Sequence, residues 1–316
     1  MNEVSQIMQM VRPLLRRAGL PTDGWDAHSL SRRDDAVMHR VVVKLTAPSR
    51  APLVAKLVIL PHDRDVFAKS ADRQRVVTAA MGQGAHIHAV DPDVQMVLMD
   101  FVPGETLFDL CTGRKVADHA RALEIAGHWV DRFHRHDRFE SRRFQPKFTL
   151  THLHKLLGSV RDGALRIPQR KAFQAFLQHT IESTPEPEDC TTIAAVGHGD
   201  LNMRNILIDG DQACGLDYAA PGLLPVAHDL ARLFCHYGTI CAAPGARGDG
   251  PLPGIDLGPF FNGYTLTGPD DAVVAFLCKA RLIRDWQTIP KAALKRSVAQ
   301  QMRFRGIQKL TQAICS

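Results

Sequence analysis

The sequence predicts an α+β chain in two parts, a small β-rich part to about Val102 and a larger, mainly helical part after it. Three observations predict it. Over residues 25–59 short apolar runs alternate with turn residues, the pattern of strands. Beyond Val102 apolar residues recur at helical spacing for most of the chain. Residues 196–218, V-G-H-G-D-L-N-M-R-N-I-L-I-D-G-D-Q-A-C-G-L-D-Y, contain two apolar runs, 206–208 and 213–216, flanking the hairpin-type turn Asp209-Gly210-Asp211.

A hairpin there brings its two ends together, with Asn205 at the start of the first strand and Asp217 just past the end of the second. An amide oxygen and a carboxylate can share a hard cation, and magnesium is the natural candidate. Asp200, five residues before Asn205, is placed to accept a proton or orient a hydroxyl. The alternative is a hairpin with solvated polar caps, its Asp and Asn serving only as turn residues.

The spacing His198-Gly199-Asp200 to Asn205 follows the kinase catalytic-loop pattern H-x-D-x-x-x-x-N, with Asp217-Tyr218-Ala219 where protein kinases carry Asp-Phe-Gly. With Gly199 in place of Arg, it resembles the aminoglycoside phosphotransferase and choline kinase-like family. The resemblance implies a bilobal protein-kinase-like fold. It implies an N-terminal nucleotide-binding lobe with a leading helix over residues 1–102, and a helical C-terminal lobe with the catalytic loop and acceptor pocket over 103–316.

In chain order, residues 3–18 place apolar side chains on one helical face, with Pro13 expected to kink or split the helix. Strands are expected near 27–30, 37–45 and 53–60, with turns at 31–35 and 46–52. On the third strand, Leu53-Val54-Ala55-Lys56-Leu57 makes Lys56 the counterpart of the kinase phosphate-binding lysine, by resemblance. An outward lysine on a half-exposed strand is the competing reading.

Two departures from the family stand out here. The first turn has no glycine to drape over phosphates, so Arg32 or Arg33 is expected to contact them through its side chain. No Glu lies between Lys56 and Glu105, so the helix expected over 64–81 lacks the usual lysine partner. Gln74 falls near its place and Asp72 is the alternative.

Residues 93–102 read as a strand ended by Pro103-Gly104. By resemblance this is the hinge, where main-chain groups of Asp100, Phe101 and Val102 bind adenine. A long amphipathic helix is expected over 116–136, with His134 a core contact, and two helices over 149–183. A polar linker follows at 183–189. Asp229, in Asp229-Leu230-Ala231, would hold the catalytic loop together with His198, again by resemblance. A carboxylate at a helix N-terminus is the competing account. Residues 242–259 read as an exposed loop, and helices run from there to the end.

At 316 residues, 45% hydrophobic and 23% charged, the chain has enough apolar material for a sizeable core and the composition of a water-soluble protein. No apolar run approaches the ~20 residues of a membrane span, and the start lacks a signal-peptide pattern, so a cytoplasmic protein is expected. The seven cysteines include no C-x-x-C pair and read as thiols. A net charge of +6 comes without a nucleic-acid module, so no nucleic-acid partner is expected.

The implied activity is ATP- and magnesium-dependent transfer of the γ-phosphoryl group to a hydroxyl of a small molecule. Another nucleoside triphosphate is an alternative donor. Asp200 is the catalytic residue, Asn205 and Asp217 are the metal ligands, and Lys56 engages the α/β-phosphates. Residues 279–316 hold nine Lys or Arg and a single acid, Asp285, a balance that repels a polycation. A sugar or sugar derivative is therefore expected as acceptor ahead of an aminoglycoside or an amino-alcohol such as choline. A nucleotide-binding pseudokinase is the rival of another class. The interval from Asp217 to Asp229 is too short for the activation segment of a protein kinase.

Overall fold

The computed structural model describes residues 3–35, 37–113, 119–186, 190–219, 222–241 and 250–316. The chain divides into two units, one of Met1–Gly104 with Cys214–Ala220, the other of Glu105–Ala213 with Pro221–Ser316.

The first unit is built on a five-stranded antiparallel sheet in the order β1-β2-β3-β5-β4. Its strands are β1 (Asp26–Asp34), β2 (His39–Ala47), β3 (Arg50–Leu60), β4 (Ile87–Asp91) and β5 (Met96–Asp100). Helix α1 (Glu3–Arg17) covers one face, where Val11, Leu14 and Leu15 pack with Val43, Leu45, Leu53 and Leu98. Pro13 lies inside α1 without splitting it. Complete burial of those three side chains contributes roughly 1.5–3 kcal/mol each, which exceeds the ~3 kcal/mol of one interior proline. Helix α2 (Arg64–Met81) starts at Asp63, whose side chain accepts the Val66 N–H, and ends at Gly82 in the left-handed region. Its Ala71 and Phe67 pack with Val54, Val97 and Leu216 on the opposite face of the sheet.

The first expected turn is displaced, and the second lies within its expected range but is shorter. Residues 31–34 are strand, and the chain reverses after Asp35, whose Oδ1 accepts the N–H groups of Val37 and Met38. The second reversal narrows to Pro48 and Ser49, the latter at φ 59°. The strand expected from residue 93 begins at Met96, because Asp91 Oδ1 accepts the Asp93 and Val94 N–H groups and closes a turn ahead of it.

The second unit begins with β6 (Glu105–Thr106), α3 (Leu107–Thr112), α4 (His119–Arg135), β7 (Phe139–Arg143), α5 (Lys147–Arg161) and α6 (Arg170–Glu182). Then come β8 (Thr191–Val196), β9 (Ile206–Asp209), β10 (Gln212–Gly215), the latter half of which belongs to the first unit, and β11 (Leu223–Pro225). Helices α7 (Ala227–Ile240), α8 (Gly258–Gly263), α9 (Ala272–Gln287), α10 (Ala293–Arg296) and α11 (Val298–Cys315) complete it. Two small sheets, β10-β9-β6 and β11-β8-β7, carry the segments around residues 197–205. The second was not expected from the sequence, since its strands are only 3 to 6 residues long. The expected helix start at 116–118 and the expected loop over 242–249 lie outside the described residues. No helix among the described residues is long and apolar enough to cross a membrane.

Candidate active site

Lys56 sits on β3, opposite Val42, on the face that includes Val54. Arg40 is opposite Val58, so the two cations are diagonal neighbours on one face of the sheet. Both point at Asp217: Lys56 Nζ forms an ion pair with Oδ1, and Arg40 Nη1 lies 3.1 Å from Oδ2. The side chains of Lys56 and Asp217 are 17% and 24% exposed, which makes the pair partly desolvated.

Asp217 has φ 61°, a left-handed conformation that Asp tolerates better than most residues. Its neighbours fix it there. Leu216 packs into the core beneath β3, and the Tyr218 carbonyl accepts the Ser70 hydroxyl at 2.5 Å. The Tyr218 ring is buried, which pushes its phenol pKa up.

Neither expected substitute for the helix Glu holds Lys56. Gln74 is buried and donates to the Ala85 carbonyl and the Met99 sulfur, and Asp72 pairs with Arg75 at the surface. The partner of Lys56 is Asp217. Arg32 lies on β1, exposed, with Nη2 3.0 Å from Asp34 Oδ2. The Asp100 N–H is donated to the His86 carbonyl and the Phe101 N–H to the Pro52 carbonyl. Asp100 Oδ1 is 2.7 Å from His88 Nε2, and Lys44 Nζ sits 3.6 Å over the Phe101 ring. Val102 follows, half-buried.

In the second unit the loop after β8 is organised by Asp229, near the start of α7. Its Oδ2 accepts the His198 N–H at 2.6 Å and its Oδ1 the Gly199 N–H at 3.0 Å. Two features of the loop permit this approach. A Cβ at Gly197 would lie 2.9 Å from Asp229 Oδ2, and Gly199 has φ 79°. Burial raises the Asp229 pKa, but the hydrogen bond and charge of His134, the charge of His198 and the His198 amide outweigh it, and the net shift is downward. His134 Nε2 is 3.4 Å from Asp229 Oδ2, with its Nδ1 at 3.0 Å from the Tyr264 hydroxyl. The His198 ring is wholly buried, edge-on to Trp129 and Phe133.

The same loop sets out Asp200, whose side chain is 46% exposed. Asn205, buried in a single 3-10 turn (Met203–Asn205), donates Nδ2 to both the carbonyl and Oδ2 of Asp200. Those two bonds fix the amide with Nδ2 toward Asp200. Asp200 Oδ1 forms an ion pair with Arg232 Nη1 from α7. The turn is held from behind, where Met203 N–H donates to His236 Nδ1 at 3.2 Å.

Beside this loop lies a cavity of about 770 Å³ whose wall includes Gly197, Gly199, His152, Arg232, Arg281 and Arg284. The only acid in that wall among the described residues is Asp229, buried and already bonded to the loop.

No family model and no curated protein matches the chain by sequence. Solved structures do match by shape. A choline/ethanolamine kinase family protein from Mesorhizobium loti is 14% identical, with a TM-score of 0.59 over 98% of this chain and 95% of that one. A choline kinase from Streptococcus pneumoniae is 11% identical, with a TM-score of 0.58 over 98% of each chain. A glucosamine kinase in complex with glucosamine, ADP and inorganic phosphate is 12% identical, with a TM-score of 0.56 over 96% of this chain and 82% of that one. The fold is protein-kinase-like. At such identities the likeness carries the architecture, and the chemistry rests on this chain's own side chains.

The structure brings Lys56 and Asp217 together in the first unit, and His198, Asp200, Asn205 and Asp229 together in the second. Arg32 is not among them. Sequence reasoning missed Arg40 and Arg232. Arg40 depends on a strand register that periodicity does not supply. Arg232 had a weak signal, standing three residues after Asp229 and hence on the same face of α7.

Proposed function

We propose that this protein transfers the γ-phosphoryl group of ATP, or of another nucleoside triphosphate, to a hydroxyl of a small molecule, with a sugar or sugar derivative favoured. The observation that carries the reading is Asp200. It is half exposed, set by an Asp229-anchored loop, and bonded to Asn205 and Arg232 beside a cavity of small-molecule size. The neighbours of like fold, choline and glucosamine kinases by name, support the reaction class.

Asp200 would orient the acceptor hydroxyl and take its proton as the phosphoryl group moves, so that most of the acceleration comes from placement and charge. Lys56 and Arg40, which share Asp217, would turn to the nucleotide phosphates. Main-chain groups at Asp100, Phe101 and Val102 would meet the base; with the amides of Asp100 and Phe101 already donated, carbonyls and the Val102 N–H carry that contact. Arg32 would approach the phosphates only by exchanging its Asp34 partner. Asn205 Oδ1 and the Asp217 carboxylate are each oxygen donors of the kind a hard cation takes, and they would hold magnesium, which neutralises phosphate charge when bound. His198 and Asp229 support the loop. Residues 1–102 would serve the nucleotide and residues 103–316 the acceptor, in a cytoplasmic protein.

A pseudokinase is the second reading, favoured by the absence of a Glu on α2. Magnesium-dependent ADP release measured across neutral sugars, amino-alcohols and aminoglycosides tests the choice. Turnover with a sugar-like hydroxyl supports the proposal, and nucleotide binding without any transfer supports the rival.

A further inference from the structure

The cavity beside the loop of Asp200 has a cationic wall. Arg232 comes from α7, and Arg281 and Arg284 come from α9, three residues apart and so on one helical face. Asp285 fixes Arg281 by accepting its Nε at 3.0 Å and its Nη2 at 2.9 Å, and the same carboxylate accepts Arg303 Nη2 at 2.8 Å. That pairing presents the opposite edge of the Arg281 guanidinium, a rigid arrangement suited to binding an oxyanion through two N–H groups. Arg284 is exposed.

Burial lowers the pKa of Arg232 first, and repulsion from Arg281 and Arg284 adds to the shift against the pull of Asp200. Three cations thus share one wall, two of them also paired with a carboxylate outside it, Arg232 with Asp200 and Arg281 with Asp285, and the one carboxylate in the wall among the described residues, Asp229, already bonds the loop. Such crowding is relieved by an anion from outside, and it opposes amines.

We propose that the acceptor is a hydroxylated compound carrying a carboxylate or phosphate, its anionic group held by Arg232, Arg281 and Arg284 while its hydroxyl faces Asp200. The proposal rests on the phosphotransferase reading and narrows its acceptor to an anionic one. Because Arg232 also touches Asp200, binding of the acceptor anion would draw that guanidinium toward the cavity and leave Oδ1 of Asp200 to the hydroxyl. The anion would thus place the acceptor and uncover the base together.

Calorimetric titration of the whole protein with glycerate, glycerol phosphate, inorganic phosphate, sorbitol and ethanolamine tests this without needing turnover. Saturable binding of at least one of the three anions is expected, weakened tenfold or more by Arg284→Gln and unchanged by Arg296→Gln, a surface arginine outside the cavity. Glycerate against glycerol phosphate tells a carboxylate acceptor from a phosphorylated one. Absence of anion binding, tighter binding of ethanolamine or sorbitol, or equal loss in both variants overturns the proposal. A parallel titration with Mg-ATP separates the two readings: its failure removes the phosphotransferase, whereas retained Mg-ATP binding with no anion binding removes only the anionic acceptor.

Discussion

One carboxylate, Asp217, gathers two cations of the first unit. Lys56 and Arg40 would repel each other on adjoining strands, and Asp217 compensates both. In Asp217→Asn the two partly buried cations lose their anion, a destabilisation of roughly 1–3 kcal/mol, between the values for exposed and fully buried pairs. The expected result is a melting point lower by several degrees together with loss of magnesium-dependent nucleotide binding, both measurable by calorimetry. A second residue with a measurable signature is His236, stacked on Phe108 at 5.7 Å. Burial and then the nearby Arg204 push its pKa from 6.5 down to about 4. Between those values the unfolded chain binds a proton that the folded chain refuses, so stability is highest above pH 6.5 and falls as the pH drops toward 4. The loss is on the order of 3 kcal/mol. Urea unfolding at pH 5 and pH 7 should show this slope in the wild type and a flatter one in His236→Gln.

At the scale of elements, the loop that carries Asp200 is a strand end and a 3-10 turn pinned to α7 through Asp229. An Asn at 229 presents one donor where two N–H groups need acceptors, so Asp229→Asn leaves one buried amide opposed. We expect a cost of about 2–3 kcal/mol and turnover at least tenfold lower, with Mg-ATP affinity changed less than threefold. Equal turnover would show that the loop holds its shape without this carboxylate. Helix packing is equally exacting. A Cβ at Gly306 of α11 would lie 1.9 Å from the Thr239 carbonyl of α7, so Gly306→Ala forces those helices apart. A destabilisation of roughly 2–4 kcal/mol is expected in chemical unfolding, above the usual range for overpacking because the obstacle is backbone.

For the molecule as a whole, what could be read in advance was what is local. Helix α2 was expected over 64–81 from its place after the third strand in the family resemblance, and Asp63 and Gly82 end it at those bounds. The hairpin and the spacing of Asp200, Asn205 and Asp217 were legible because one short segment carries them. The partner of Lys56 lies 161 residues away, and the Arg40 contact spans 177, so both depend on sheet register and on where residues 214–220 dock. The turn at Asp35 was displaced by side-chain capping that alternation of apolar residues does not reveal. Strands β7, β8 and β11 are too short to show a period of their own. Arg232 became visible only when α7 placed it against Asp200.

The central claim is that Asp200 acts on the acceptor and not on the nucleotide. It is tested most directly by measuring Mg-ATP affinity and γ-phosphoryl transfer side by side in the wild type and Asp200→Asn, using the acceptor of highest turnover, or water where none exceeds it. The account predicts affinity unchanged within about threefold and transfer reduced by a factor on the order of a hundred or more. Transfer at the wild-type rate in Asp200→Asn, or loss of nucleotide binding in step with loss of transfer, would contradict it.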